Sequence, residues 1–254
     1  MNIRVIVTAR MTSTRFPGKA LALLAGKPVL WHVLRRCKMS GFPVALAIPD
    51  TPENDGLAVW AQGQVGTIVR GPEEDVLARF TLACDVTRPD IAVRVTGDCP
   101  MVDPALIVRV AGMVNSRRKV HPAGERVVAY ATNTVRRTFP RGLDVEAMDT
   151  GLVVLAHREA TDPSDREHVT PWMQRTSAAG GYDAHLSQEN YTEAAWRWCV
   201  DTAGDLAWLN RMAVAYRPDG RMLPQAGWLR DYLRQHPEEV RLDFAQDIPI
   251  RDAI

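Results

Sequence analysis

The chain has 254 residues, 46% of them hydrophobic and 24% charged, which are the proportions of a folded globular protein and exclude a disordered one. Lysine and arginine number 31 against 30 acidic residues, a net charge of +1, so the bulk basic field of a non-specific nucleic-acid binder is excluded and no nucleic-acid partner is expected. Four cysteines, at positions 37, 84, 99 and 199, form no C-x-x-C pattern, which argues against a disulfide scaffold or a cysteine-only zinc site.

The apolar run Ile3-Arg4-Val5-Ile6-Val7 follows no charged-then-apolar leader, and nowhere do about 18 apolar residues run together. A cytoplasmic protein without a membrane partner is the expectation. Val5–Val7, Val44–Ile48, Val65–Val69 and Ile91–Val95 are apolar on successive residues, as strands covered on both faces are. Helical spacing fills the intervals. Pro28–Met39 carries Val29, Leu30, Val33, Leu34 and Cys37 on one face, with Pro28 expected at the first helical position. Glu74–Asp85 carries Val76, Leu77, Phe80, Thr81 and Cys84 in the same way. Asp103-Pro104 reads as an N-cap and first-turn proline opening a helix to about Ser116. Such alternation predicts an α/β fold with a doubly wound, mostly parallel sheet.

Arg117–Glu125 reads as an exposed loop whose cations are solvated. Val127–Thr132 and Leu143–Ala147 are expected strands, and Thr150–Glu159 and Arg166–Arg175 expected helices. Trp196–Val200 has the pattern of a further strand. Thr202 through Asp205 matches the Ser/Thr-x-x-acid start of a helix to about Ala215. Pro224–Gln235 is a final amphipathic helix before a charged, proline-containing tail. No repeat or low-complexity linker divides the chain, so one domain with an embellished second half is expected.

Two segments carry chemistry. Ala9-Arg10-Met11-Thr12-Ser13-Thr14-Arg15-Phe16-Pro17-Gly18-Lys19 follows the first strand, and ligands of parallel α/β sheets sit beyond the strands' carboxyl ends. Its three cations (Arg10, Arg15, Lys19), its hydroxyls and Gly18 suit a triphosphate, since guanidinium forks grip oxygens in pairs while a lysine acts as a mobile point charge. A basic surface loop is the plainer alternative. The loop is not a Walker A sequence, because Ala20 follows Gly18-Lys19, and no G-x-G-x-x-G occurs. Arg94-Val95-Thr96-Gly97-Asp98-Cys99-Pro100 closes the fourth strand, and Asp201 follows Val200 in the same manner. Two strand-end carboxylates on one sheet edge suit Mg²⁺, which takes oxygen from one or two acids and from substrate phosphates. A turn or helix cap is the other reading of each. Cys99 reads as packing, and Trp196, Trp198, Trp208 and Trp228 as core and helix-packing residues. His32, His121, His157, His185 and His236 have no metal-ligand spacing.

Arg10 to Lys19, followed by Leu21-Ala22-Leu23-Leu24-Ala25-Gly26-Lys27-Pro28, resembles the start of the sugar-acid cytidylyltransferases. It is most similar to the spore-coat polysaccharide biosynthesis branch, related to the 3-deoxy-manno-octulosonate and acylneuraminate enzymes. The resemblance extends from residue 3 to about 210. It takes in Arg70-Gly71-Pro72-Glu73-Glu74-Asp75-Val76-Leu77-Ala78-Arg79, Thr96-Gly97-Asp98-Cys99-Pro100, and Thr138-Phe139-Pro140-Arg141-Gly142-Leu143-Asp144-Val145-Glu146. Arg166-Glu167-His168-Val169-Thr170-Pro171 and Val200-Asp201-Thr202 complete it. Phe16 stands where leucine is usual and Cys199 where threonine is.

The resemblance implies a nucleotide-diphosphosugar-transferase-like (GT-A-like) domain over residues 1–216. Its nucleotide-binding half would span 1–116 and its acceptor-binding half 117–216, with a C-terminal helix and tail at 217–254. It also implies transfer of CMP from CTP to a sugar acid, with release of pyrophosphate, for a surface polysaccharide. Arg10, Lys19, Asp98 and Asp201 would be catalytic, with Asp98 and Asp201 holding Mg²⁺. Ala9, Arg10, Ser13, Arg15, Gly18, Lys19, Gly71, Asp75, Arg79, Thr96 and Asp98 would line the nucleotide. The alternation in Arg141, Asp144 and Glu146 suits an anionic sugar or a structural salt bridge equally, and His168 suits the acceptor or a cap. Another anionic acceptor such as a phosphonate, another nucleoside triphosphate, and a non-catalytic nucleotide-binding subunit are the alternatives. A homodimer is compatible with the resemblance, although no segment announces an interface.

Overall fold

In the computed structural model of the chain, which describes residues 1–120, 129–134, 137–179, 183–185 and 193–243, strand β1 (Ile3–Thr8) lies mid-sheet. Its Val5, Ile6 and Val7 are wholly buried, as are Ala45 to Ile48 of β4 (Val44–Pro49). Chains with no polar alternation cannot face water, so both strands take helices on either side. β1 pairs in parallel with β4 on one flank and with β6 (Ile91–Thr96) on the other, and β4 pairs in parallel with β5 (Thr67–Gly71). Beyond β6 the direction changes. β8 (Glu146–Asp149) runs antiparallel to both β6 and β7 (Tyr130–Thr132), and β7 pairs in parallel with β9 (Asp183–His185). The sheet order is β5-β4-β1-β6-β8-β7-β9, so the α/β, mostly parallel expectation holds, with one antiparallel strand inserted.

A two-residue hairpin, β2 (Leu23–Leu24) with β3 (Lys27–Pro28), precedes the first long helix. Ala25 and Gly26 turn it at φ 48° and 75°, the positive pair that matches strand twist. Helices α1 (Val29–Met39), α4 (Pro104–Val120), α8 (Ala203–Tyr216) and α9 (Ala226–Gln235) send Leu30, Ile107, Leu209 and Leu229 into the core on one face of the sheet. Helices α3 (Val76–Thr87), α5 (Thr150–Glu159) and α7 (Pro171–Ala179) cover the other face through Leu77, Leu152 and Met173. α2 (Asp55–Ala61) and α6 (Pro163–His168) are short connectors.

Several elements differ from the sequence expectation, each for a local reason. Pro28 is the N-cap of α1 and not its first residue, because it is still paired with Leu23 in the hairpin. α4 continues to Val120, four residues beyond the expected end, since arginine and lysine are good helix formers that an apolar period overlooks. The rest of the expected 117–125 loop, and residues 127–128 of the expected strand, lie outside the described residues. The strand expected at Leu143–Ala147 starts only at Glu146. Before it, Asn133 takes the place of a partner strand, donating to the Leu143 carbonyl and accepting from the Val145 N–H, each at 2.9 Å. The helix expected over Arg166–Arg175 is two, α6 and α7, parted at Val169, whose φ is 72°. Trp196–Val200 is extended but joins no ladder; it makes single bridges, Arg197 with Arg141 and Trp196 with Leu242.

His32 of α1 is buried and sits 2.6 Å from the Leu24 carbonyl through Nε2. Burial pushes its imidazole down to about 4. A histidine that binds its proton less tightly folded than unfolded costs stability as pH falls. We expect a loss on the order of 3 kcal/mol between about pH 6.5 and pH 4, at 1.36 kcal/mol per unit. Denaturant unfolding at stepped pH checks this, and an equal slope in His32→Gln and the parent would remove His32 as the cause. Among the described residues no helix is long and apolar enough to cross a membrane.

Candidate active site

β1 and β6 end side by side, Thr8 opposite Thr96, so the loops that leave them start in contact. The Gly97 N–H donates to the Thr8 carbonyl at 2.8 Å, and a Cβ on Gly97 would stand 2.7 Å from that of Ala9. Only glycine permits this approach. The 9–19 loop closes on itself where the Gly18 N–H reaches the Met11 carbonyl at 2.8 Å, with Gly18 at φ 76°. Its back is held by Asn54, whose Oδ1 accepts the Met11 N–H at 2.9 Å, and by Glu73, which accepts from the Thr12 hydroxyl.

At the carboxyl edge of the sheet lies a cleft of about 360 Å³, within the range of small-ligand sites. From the loop, Ala9, Arg10, Ser13, Arg15 and Lys19 line it. Thr96 and Asp98 line it from the end of β6, Arg79 from α3, His168 from α6, and Asp201 from the residue before α8's cap. Asp201 is brought there by backbone pairing, the Val200 N–H donating to the Asp98 carbonyl at 2.8 Å. It is not the helix cap. Thr202 fills that role in a reciprocal box with Asp205, leaving Asp201 for the cleft.

Lys19 is the centre of charge. Its Nζ lies 2.7 Å from Asp98 Oδ2 and 2.8 Å from Asp201 Oδ1. Burial opposes the Lys19 charge, but the two carboxylates outweigh it and raise the ammonium pKa. Asp201 also meets Arg15 at 3.0 Å and Arg197 on its other oxygen. Burial works against the Asp201 charge, yet Lys19, Arg15 and Arg197 together hold its pKa well below the usual carboxylate range. Two carboxylate oxygens within 2.8 Å of one nitrogen are within reach of one cation between them. Among the described residues no group of three or more His, Cys, Asp or Glu surrounds a metal position. An oxygen pair completed by water and phosphate suits Mg²⁺ rather than a closed protein cage, so the residues fit that ion.

Arg79 is 1% exposed and donates to the carbonyls of Pro72 and Glu73. Burial, then the neighbouring charge of Arg10, lowers its pKa to about 10, still cationic at neutral pH. Burial and then the charge of Asp98 push the Cys99 and Cys199 thiols well above their ordinary values. Neither supplies a thiolate nucleophile.

The other residues singled out from sequence stand back from the cleft. Gly18 shapes the loop behind Lys19. Gly71 ends β5 against Arg79, where a Cβ would lie 3.3 Å from that residue's Cα. Asp75 caps α3 through the Ala78 N–H at 2.8 Å and pairs with Arg166. Three of the four expected acceptor-binding residues are held in ion pairs. Arg141 meets Asp243 at 3.1 Å and Asp144 meets Arg137 at 2.8 Å. Glu146 is 7% exposed and takes Arg94 at 2.5 Å, Tyr130 at 2.8 Å and Thr170 at 2.5 Å. These are the salt-bridge alternative, leaving His168 as the one of the four on the cleft wall. Arg94 and Glu167 line the cleft as well. Arg94 was discoverable by strand period, since it lies two residues before Thr96 and so on the same side of β6.

A parallel sheet with a cation-rich loop and paired carboxylates at its carboxyl edge is the arrangement of a nucleotidyltransferase. A solved cytidylyltransferase from Leptospira borgpetersenii has the same fold, with a TM-score of 0.81 at 24% identity over 94% of this chain and 97% of its own. Residues 4–217 match the cytidylyltransferase family, and the chain belongs to it. It is similar to the spore coat polysaccharide biosynthesis protein SpsF of Bacillus subtilis, 28% identical over 211 residues, which are 80% of this chain and 83% of that protein. It is also similar to the 3-deoxy-manno-octulosonate cytidylyltransferase of Pelobacter propionicus, 36% identical over 93 residues, a match covering 37% of this chain and 36% of the relative.

Proposed function

We propose that the chain transfers CMP from CTP to a sugar acid with release of pyrophosphate, supplying an activated sugar for a surface polysaccharide. The observation that carries this reading is the convergence of Asp98 and Asp201 on Lys19 beside the loop that bears Arg10 and Arg15. Arg10, Arg15 and Lys19 bind the triphosphate, and their fixed positive charge stabilises the negative charge that grows on the leaving pyrophosphate. Ser13 and the backbone from Ala9 lie along the same phosphates, while Arg79 and Thr96 border the nucleoside end. Asp98 and Asp201 would hold Mg²⁺. That ion, when bound, neutralises phosphate charge and lowers the pKa of a coordinated hydroxyl. His168, which lines the same cleft, orients the acceptor. No covalent step on the protein is needed, because an acceptor oxygen held in line with the α-phosphorus displaces pyrophosphate directly.

Calorimetry with CTP, UTP, ATP and GTP, each with and without Mg²⁺, tests the donor and the ion without the acceptor in hand. CTP is expected to bind at least tenfold tighter than the other three and to need Mg²⁺ for that affinity. Preference for another base overturns the donor, and binding indifferent to Mg²⁺ overturns the metal assignment.

A further inference from the structure

We propose that Asp243, on the C-terminal tail beyond the residues that match the family, is a positioning residue for Asp201 and acts through Arg197; this rests on reading Asp201 as a Mg²⁺-binding residue.

Asp201 divides its two oxygens. Oδ1 faces the cleft cations Lys19 and Arg15, and Oδ2 is gripped by Arg197. Arg197 therefore helps to set the direction of the cleft-facing oxygen, with the Cys199 thiol 3.6 Å from Oδ2 as the weaker second partner. Arg197 is 10% exposed along its side chain and spreads its guanidinium over three carboxylates: Asp201, Asp205 from Nε at 3.5 Å, and Asp243 Oδ1 from Nη1 at 3.0 Å. A planar fork with partners on several edges has one orientation, which a lysine in its place would not have.

Asp243 is itself fixed. Its side chain is 2% exposed, and its Oδ2 accepts from Arg141 at 3.1 Å. Its backbone N–H donates to the Ala195 carbonyl at 2.8 Å, and two residues earlier the Arg241 carbonyl accepts the Arg197 N–H at 2.9 Å. Arg241 also reaches Asp205 at 3.2 Å. Three arginines (141, 197, 241) thus alternate with three buried aspartates (201, 205, 243). A buried charge whose partner is removed is costly to leave unpaired. Without Asp243, Arg197 has two carboxylates on one side only and swings toward them, turning Asp201 away from the cleft. The family match ends at residue 217, so Arg141, Arg197, Asp201 and Asp205 lie within it and Asp243 beyond it.

The test is the Mg²⁺ concentration that gives half-maximal CTP binding, measured by calorimetry on the full chain alongside its melting temperature. Asp243→Asn is expected to raise that midpoint about tenfold or more, the range seen when an outer partner of a metal ligand is lost. Affinity should recover at saturating Mg²⁺, and Asp243→Glu should restore part of the shift. Glu239→Gln, which loosens the same tail at its pair with Arg211, should leave the midpoint alone. If Asp243→Asn does not fold, Arg197→Lys must show the same shift. Midpoints within twofold of the parent in whichever of these variants fold overturn the proposal. Asp201→Asn separates the two levels. An unmoved midpoint there sinks the metal reading itself, whereas a moved midpoint there with an unmoved Asp243→Asn sinks only the positioning role.

Discussion

Asp98→Asn is expected to lower turnover about a thousandfold while leaving the melting temperature within about 3 °C of the parent. Asparagine keeps the size of the side chain and removes its charge. Asp98 is 24% exposed along its side chain, and its ion pair is with Lys19, which retains Asp201. The fold therefore loses one ion pair but leaves no buried charge unpaired, because Lys19 stays compensated by Asp201. The reaction loses the charge of one of two carboxylates that converge beside the triphosphate loop, and charged groups aimed at the reacting centre are worth about two to three orders of magnitude each. Pyrophosphate release with an acceptor that the parent accepts measures this. Retention of a tenth or more of parental activity would take Asp98 out of the machinery.

Gly142→Ala is expected to be the most destabilising of the glycine-to-alanine changes among the described glycines, because it combines a positive φ with three backbone clashes. Gly142 sits at φ 108°, a conformation alien to side-chain-bearing residues. A Cβ there would lie 2.7 Å from the Trp198 carbonyl carbon, 2.8 Å from the Cys199 nitrogen and 2.9 Å from the Trp198 oxygen. All three are backbone atoms that no rotamer change can move aside. The neighbouring bonds, Arg141 N–H to the Trp196 carbonyl at 2.8 Å and Trp198 N–H to the Arg141 carbonyl at 2.7 Å, must part if the methyl is to fit. A cost of about 4 kcal/mol, the exceptional end of single substitutions, is expected. At about 2–4 °C per kcal/mol for a chain of this size, the melting temperature falls on the order of 10 °C. A thermal melt showing a fall of under about 3 °C would show that the two backbones separate cheaply.

The half of the fold that sets the phosphate loop was legible because β1, β4 and the start of β6 are apolar on consecutive residues and α1 and α3 repeat with one apolar face. β1, β4 and β6 therefore stood out, and the loop after β1 had to lie at the carboxyl edge. β5 (Thr67–Gly71) lies two residues later than the expected Val65–Val69, and the two-residue strands of the β2–β3 hairpin are too short to show a period. The second half resisted for the opposite reason. Its polar backbone is satisfied by side chains and single bridges, as where Asn133 stands in for a strand beside Leu143 and Val145, and such pairing leaves no period in the sequence. Asp98 was legible from its place just after β6 and from family likeness, and Asp201 from family likeness and from an extended run that has a strand's pattern without joining a ladder. Arg141, Asp144 and Glu146 were legible as charged but not as partnered, since Asp243 lies 102 residues from Arg141 and Arg94 lies 52 from Glu146. Arg197 carries no signal of its own. Its role arises only when three aspartates from two distant segments, Asp201 with Asp205 and Asp243, meet it.

Lys19 and Asp201 are 182 residues apart in the chain, and this has a consequence for biosynthesis. On a ribosome adding about 5–20 residues per second, the phosphate-binding loop emerges roughly 9 to 36 s before Asp201, the later of the two carboxylates that meet Lys19. β1 meets the same delay on a smaller scale, because Ile3 pairs with Ile91 of β6. The nascent protein therefore exposes a cationic loop, and for a time an unpaired central strand, to surrounding polyanions and to the ribosome's own RNA. Efficient production of this chain is expected to favour conditions that shield the emerging N-terminal half, and slowing elongation between residues 19 and 201 lengthens the period of risk.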